Sequence, residues 1–266
     1  MSGMSTYDTT KEPLQGILKA INDGKIQLPE FQRDWVWDDA HVASLLASVT
    51  LSYPIGAVML LQTGGDEVVF KTRCVQGVDG IPGATSPEVL ILDGQQRLTA
   101  LYQALFSPCP VQTKDIRNKA VKRHYHVHID SVLQEDSDRE DVIVSLPEDR
   151  IRRNFRGEVV SDYSTTDAQC QAGMLPLDIV MDGSALMSWM MHYLRVINPE
   201  ETQERLGKWN KLREHILDPI AHYQVPIIQL KKQTPREAVC QVFEKVNTGG
   251  VPLTVFELLT ATFAAE

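Results

Sequence analysis

Cysteine is scarce and scattered in this sequence: Cys74, Cys109, Cys170 and Cys240 form no C-x-x-C pair. Disulfide frameworks and zinc sites announce themselves by close spacing, so these thiols are expected to be free or buried. Long apolar runs are missing as well. No stretch approaches the ~18–20 residues a membrane helix needs, and Met1-Ser2-Gly3-Met4-Ser5 lacks the basic and apolar segments of a secretion signal. The expectation is a cytoplasmic chain with no membrane partner. Positive charge is the third shortage, since 26 Lys and Arg against 35 Asp and Glu leave a formal net charge of −9. Bulk attraction to nucleic acid needs clustered cations, so any such contact must be local or supplied by a partner. Walker A, G-x-S-x-G and G-x-G-x-x-G patterns are also absent, which leaves the commonest nucleotide-binding and hydrolase folds unsupported.

What is present is enough apolar material, 43% of 266 residues, to build a core without staples. Leu14, Ile17, Leu18 and Ile21 have helical spacing, and Gly24 suits the stop. An extended piece from Lys25 to Pro29 leads into Glu30-Phe31-Gln32-Arg33-Asp34-Trp35-Val36-Trp37. Asp38 or Asp39 can cap the next helix, whose apolar face is Val42, Leu45, Leu46 and Val49. After Tyr53-Pro54, the run Ile55 to Leu61 reads as a central buried strand, with Glu67 to Lys71 as its hairpin neighbour. Gly77 to Pro87 reads as a loop. Val89 to Leu92 is a second buried strand, followed by a helix from Gln95 to about Leu105. Lys119 to Asp130 predicts an exposed strand, its charged continuation to Asp141 a turn or loop, and Val142 to Leu146 another strand.

Beyond Asp167 the character changes. Helices are expected around Leu186 to Met191 and from Glu200 to His222, and then a strand from Val225 to Leu230. Thr234-Pro235-Arg236-Glu237 has the form of a capping box and opens a helix to about Asn247, stopped at Gly249-Gly250. Thr254-Val255-Phe256-Glu257 repeats the box. That last helix is still apolar at Phe263-Ala264-Ala265, where the sequence ends, and is read as cut short.

Three segments carry residues fit for chemistry. In Leu90-Ile91-Leu92-Asp93-Gly94-Gln95-Gln96-Arg97-Leu98-Thr99 a buried strand delivers a carboxylate, a glycine and two amides to the start of a helix. Helix N-termini attract phosphates, glycine permits close backbone approach, and Arg97 can grip phosphate oxygens in a fork. Asp93 can hold a Mg²⁺ that rides on the phosphates. The plainer alternative is an Asp cap on an ordinary surface helix. In Pro29 to Trp37, aromatic residues alternate with Gln32 and Arg33, so one side can pack while the other offers donors; the tryptophans themselves read as core. In Phe243-Glu244-Lys245-Val246-Asn247-Thr248-Gly249-Gly250, Asn247 is most cheaply a helix stop, and its amide can alternatively complete a ligand site.

Taken in this order, Gln32-Arg33, Asp93 to Thr99, and Phe243-x-x-x-Asn247 with Gly249 resemble the amino-terminal domain of the GmrSD-type, modification-dependent restriction endonucleases, over roughly Leu14 to the end. That family is similar in fold to ParB and sulfiredoxin. The resemblance implies an α+β fold with a mixed sheet and packed helices, a single domain over 8–266 with a helical insertion at about 175–222. It implies binding and hydrolysis of a nucleoside triphosphate with Mg²⁺ in an anti-phage system that restricts modified DNA. On this carry-over Asp93, Gln95, Gln96 and Arg97 would be catalytic, with Asp93 on the metal. Gln32, Arg33, Gly94, Arg97, Thr99 and Asn247 would bind the nucleotide. Full-length members continue into an HNH-type nuclease domain, which has no counterpart here. A nuclease domain or subunit is therefore the expected partner, and DNA cleavage by this polypeptide alone is not expected. The competing expectation is a sensor or scaffold that binds DNA or nucleotide without turnover.

Two further signals stand apart. His124, His126 and His128 share one strand face and suit either a metal or, more commonly, a solvated surface. Arg150, Arg152, Arg153 and Arg156 form the densest cationic stretch. They can meet a nucleic-acid backbone, or neutralise Glu148, Asp149 and Glu158 beside them, the reading that the acidic chain favours.

Overall fold

The apolar runs at Val58–Gln62 and Val89–Asp93 pair antiparallel as central strands of one sheet, which is why both are buried almost throughout. In this computed structural model the described residues are 6–35, 37–65, 70–79, 86–134, 138–195 and 199–246. The chain divides into two compact units, residues 1–35, 56–99 and 224–266 in one and 36–55 and 100–223 in the other.

The first unit contains β1 (Tyr7–Pro13), α1 (Leu14–Asn22), β2 (Ile26–Pro29), β3 (Val58–Gln62), β4 (Thr72–Arg73), β5 (Val89–Asp93), the opening of α2 (Gln95–Leu105), β6 (Gln224–Leu230) and α3 (Arg236–Val246). The six strands form a mixed sheet in the order β1-β6-β3-β5-β2-β4. β6 runs parallel to β3 and β2 parallel to β5, and the other neighbours are antiparallel. The α+β class expected from the sequence is what the chain adopts. Helix α1 buries Leu14, Ile17, Leu18 and Ile21. It stops as expected at Gly24, where φ of +71° lets the Lys25 and Gly24 amides return to the Ala20 and Ile21 carbonyls. On one sheet face, Leu61, Leu90, Leu92 and Leu230 pack with Val239, Cys240 and Phe243 of α3.

Two expectations for this unit change. The partners of β3 are β5 and β6, and no hairpin strand at Phe70–Lys71 joins it; the short strand β4 pairs with β2 instead. Residues 66–69, most of 77–87, Asn247 and the 254–257 box lie outside the described residues. Strand β3 also begins at Val58 rather than Ile55, because Gly56 has φ of +87° and breaks the extended run.

The second unit has a four-stranded sheet in which Ala120–His128 is the central strand, paired with Val111–Lys114, Ile143–Pro147 and Met174–Pro176. That strand is not the exposed one expected. His124 and His126 are buried, because neighbours on both edges and packed helices close it off. The stretch after it holds short helices, Ile129–Val132 and Arg139–Val142, rather than a loop alone. Asp38 caps Asp39–Thr50 through the His41 amide. Gly183–Arg195 and Pro199–Leu212 are helices, and a π-helical turn, Arg213–Leu217, joins the latter to Asp218–Ala221. All four cysteines are free. No helix among the described residues is long and apolar enough to cross a membrane.

Candidate functional site

Strand β5 ends on Asp93, and Gly94 turns the chain at φ of +90° into α2. A side chain at Gly94 would meet Val58 Cγ2 at 2.9 Å, so close packing as well as backbone geometry demands glycine. The first helical bond runs from the Leu98 amide to the Gly94 carbonyl at 2.9 Å. The positive end of α2 therefore opens at Gly94-Gln95.

Arg97, one turn in, folds back over this opening. Its Nη2 donates to Asp93 Oδ2 at 3.1 Å and to the Ala57 carbonyl at 3.0 Å. The two side chains of the pair are 19% and 34% exposed, so the ion pair faces solvent on one side only. Gly56 completes the seat: a Cβ there would lie 2.6 Å from Arg97 Nη1. Neither Gly56 nor Ala57 was visible as a site residue from sequence. The one signal available was a glycine interrupting an apolar strand-like run.

The Gln32-Arg33 segment forms the adjoining wall. Phe31 anchors it between Phe70 and Phe243, at ring-centroid distances of 5.1 and 5.3 Å. Gln32 is 8% exposed, and its amide donates to the Ile91 and Leu92 carbonyls at 2.6 and 3.2 Å. Gln95 donates to the Arg33 carbonyl at 2.7 Å, Gln96 to that of Asp34 at 3.3 Å, and Trp35 Nε1 to that of Gln96 at 3.2 Å. From outside, Arg73 reaches the Gln32 and Arg33 carbonyls at 3.0 and 3.2 Å. Two motifs some sixty residues apart thus become one wall, laced by side-chain amides that donate to backbone carbonyls. Trp35 is core, as expected, while Trp37 is half-buried. The Arg33 side chain is exposed and enters no ion pair among the described residues. Thr99 is wholly buried behind the opening, and its hydroxyl makes no hydrogen bond among the described residues.

The arrangement suits an oxyanion. A guanidinium and a helix N-terminus converge beside one partly exposed carboxylate. Among the described residues no group of three or more His, Cys, Asp or Glu could cage a metal ion, the three strand histidines included. A single carboxylate fits the way Mg²⁺ is held when phosphates supply most of the ligands. Gly56→Ala is expected to displace the guanidinium and to cost about 1–2 kcal/mol for its left-handed backbone. Urea unfolding of the variant against the native chain checks the cost, and an unchanged midpoint would show that the left-handed backbone at Gly56 carries no strain for alanine.

The model of the family "GmrSD restriction endonuclease, N-terminal domain" matches residues 14–264, a span that holds all three motifs. The uncharacterized protein MJ0686 of Methanocaldococcus jannaschii is 26% identical over 265 residues, which cover 97% of this chain and 42% of the relative.

Proposed function

This chain belongs to the family of GmrSD restriction endonuclease N-terminal domains, and we propose that it is the triphosphate-binding and triphosphate-hydrolysing module of an anti-phage system restricting modified DNA. The observation that carries the reading is Arg97, seated on Asp93 and the Ala57 carbonyl at the mouth of a helix. Held there, the guanidinium would meet phosphate oxygens without first having to be ordered, and the helix end adds to the field. Gly94 lets a phosphate come close to the backbone. Arg33 supplies a second cation from the adjoining wall. Asp93 would hold a divalent cation brought by the phosphates, which would supply positive charge against the charge developing on the phosphoryl group.

Gln95 and Gln96 keep that wall in place by holding the Arg33 and Asp34 carbonyls. We assign them this positioning role ahead of orienting the attacking water. Turnover then regulates a nuclease carried by another domain or subunit.

The test is phosphate release from ATP, GTP, CTP and UTP with Mg²⁺, native chain against Asp93→Asn, with binding measured in parallel. Turnover that needs Asp93 while binding persists in its absence is expected. A folded native chain that neither binds nor hydrolyses any of the four would overturn the reading and leave the sensor or scaffold alternative.

A further inference from the structure

After Pro147 the second unit sends out a two-stranded ribbon, Ile151–Arg153 against Val159–Asp162. Its tip is a built turn. The Gly157 amide returns to the Asn154 carbonyl at 3.0 Å, and Gly157 takes φ of +82°. Asn154 Oδ1 accepts from the Arg156 and Glu158 amides at 2.9 and 3.1 Å. This geometry places Phe155 and Arg156 at the two central positions of the turn. Phe155 is 92% exposed, with the Arg156 guanidinium 5.2 Å from its ring centroid. Val159 and Val160 are also exposed, and a bulge between Val159 and Ser161 bends the ribbon. Exposed apolar side chains on a pre-ordered tip do nothing for the fold. They suit contact with something else.

Charge indicates what that is. Two acids of this segment are paired with cations, Glu148 with Lys122 at 2.8 Å and Asp149 with Arg153 at 2.6 Å, while Glu158 accepts from the Asn154 side-chain amide at 2.7 Å and Asp162 from the Ser164 amide at 2.9 Å. Arg152 and Arg156 are exposed and enter no ion pair among the described residues. Two arginines with no ion pair among the described residues thus flank the exposed aromatic tip of this ribbon, in a chain whose net charge is −9. Two strands about 4.8 Å apart, with their side chains, match a B-DNA major groove about 12 Å wide. We propose that this ribbon is a contact for duplex DNA. It enters a groove tip-first, with Phe155 against base edges and Arg152 and Arg156 on the flanking phosphates. The contact is local, so it does not conflict with the acidity of the whole chain. It is also independent of the triphosphate reading: a chain that binds no nucleotide can still bind a duplex this way.

The experiment is fluorescence anisotropy of a short labelled duplex over a range of salt concentrations, with a single strand of the same length as a second arm. The native chain should bind the duplex with a clear salt dependence. R152A/R156A should weaken binding roughly tenfold at moderate salt and lower the salt slope by about two, one for each lost phosphate contact. Phe155→Ala should weaken binding and leave the slope unchanged. Arg213→Ala, which removes an exposed arginine elsewhere in the unit, should match the native chain. All four positions are exposed, so circular dichroism should report native folding throughout. No duplex binding by the native chain, unchanged binding by both ribbon variants, or tighter binding of the single strand would each overturn the proposal. So would sedimentation showing that Phe155→Ala splits a dimer while DNA affinity stays as it was.

Discussion

Arg97→Ala is expected to lower triphosphate turnover by a factor of at least about a hundred, and Arg97→Lys is expected to restore little of it. The reason is the fork. One nitrogen, Nη2, is engaged at once by Asp93 and by the Ala57 carbonyl, which fixes the plane of the guanidinium. An ammonium is a point donor on a flexible stem. It can pair with Asp93 or reach a phosphate, but it cannot be held by the one and present a flat edge to the other. Stability should hardly change. The pair is partly exposed, 19% and 34% for its two side chains, and such pairs contribute about 0–1 kcal/mol. Asp93 also keeps the favourable end of the α2 dipole. The measurements are phosphate release, calorimetric nucleotide binding and urea midpoints on the three proteins. Native-like turnover in Arg97→Lys would sink the argument from the fork, and turnover in Arg97→Ala would remove Arg97 from the site altogether.

How much of this was legible beforehand depended on the range of the interaction involved. The β5–α2 junction could be read because the apolar period changes at Asp93-Gly94. The Gly24 stop and the Asp38 cap could be read because each is settled within five residues. The Arg97 seat could not. It needs Gly56 and Ala57, about forty positions away, and nothing local marks a glycine that makes room for a guanidinium. Gln95 and Gln96 drew attention as an odd choice for a solvated face, yet their partners are carbonyls of the Arg33 loop. Sequence could supply the donors but not the acceptors. Strand pairing failed for the same reason. Proximity in sequence suggested a hairpin for β3, whereas the chain brings β6 to it from residues 224–230. The histidine strand shows a different limit. Alternation says that three histidines share a face, and it is silent on whether water or protein lies against that face.

That silence has a thermodynamic consequence at His126. Its side chain is wholly buried in the central strand of the second unit, and among the described residues neither ring nitrogen finds a well-formed hydrogen bond. Burial, which penalises the imidazolium, holds its pKa down from 6.5 to about 4. Asp178 pulls the other way, while Arg150 adds to the depression. Because the folded value is lower, the unfolded chain binds more protons between the two. The stability tied to a neutral His126 is therefore complete above pH 6.5 and is lost progressively as pH falls towards 4. The drop across that window should be about 3 kcal/mol. Urea midpoints at pH 7 and near pH 4.5 would read it, for the native chain and for His126→Leu. Leucine fills similar space without a proton site or unpaired nitrogens, so the variant should match or exceed native stability at pH 7. It should then lose about 3 kcal/mol less on acidification. Other groups titrate in both proteins, so the difference between the two slopes is the quantity that counts. Parallel slopes would show that some other buried group governs the acid limb.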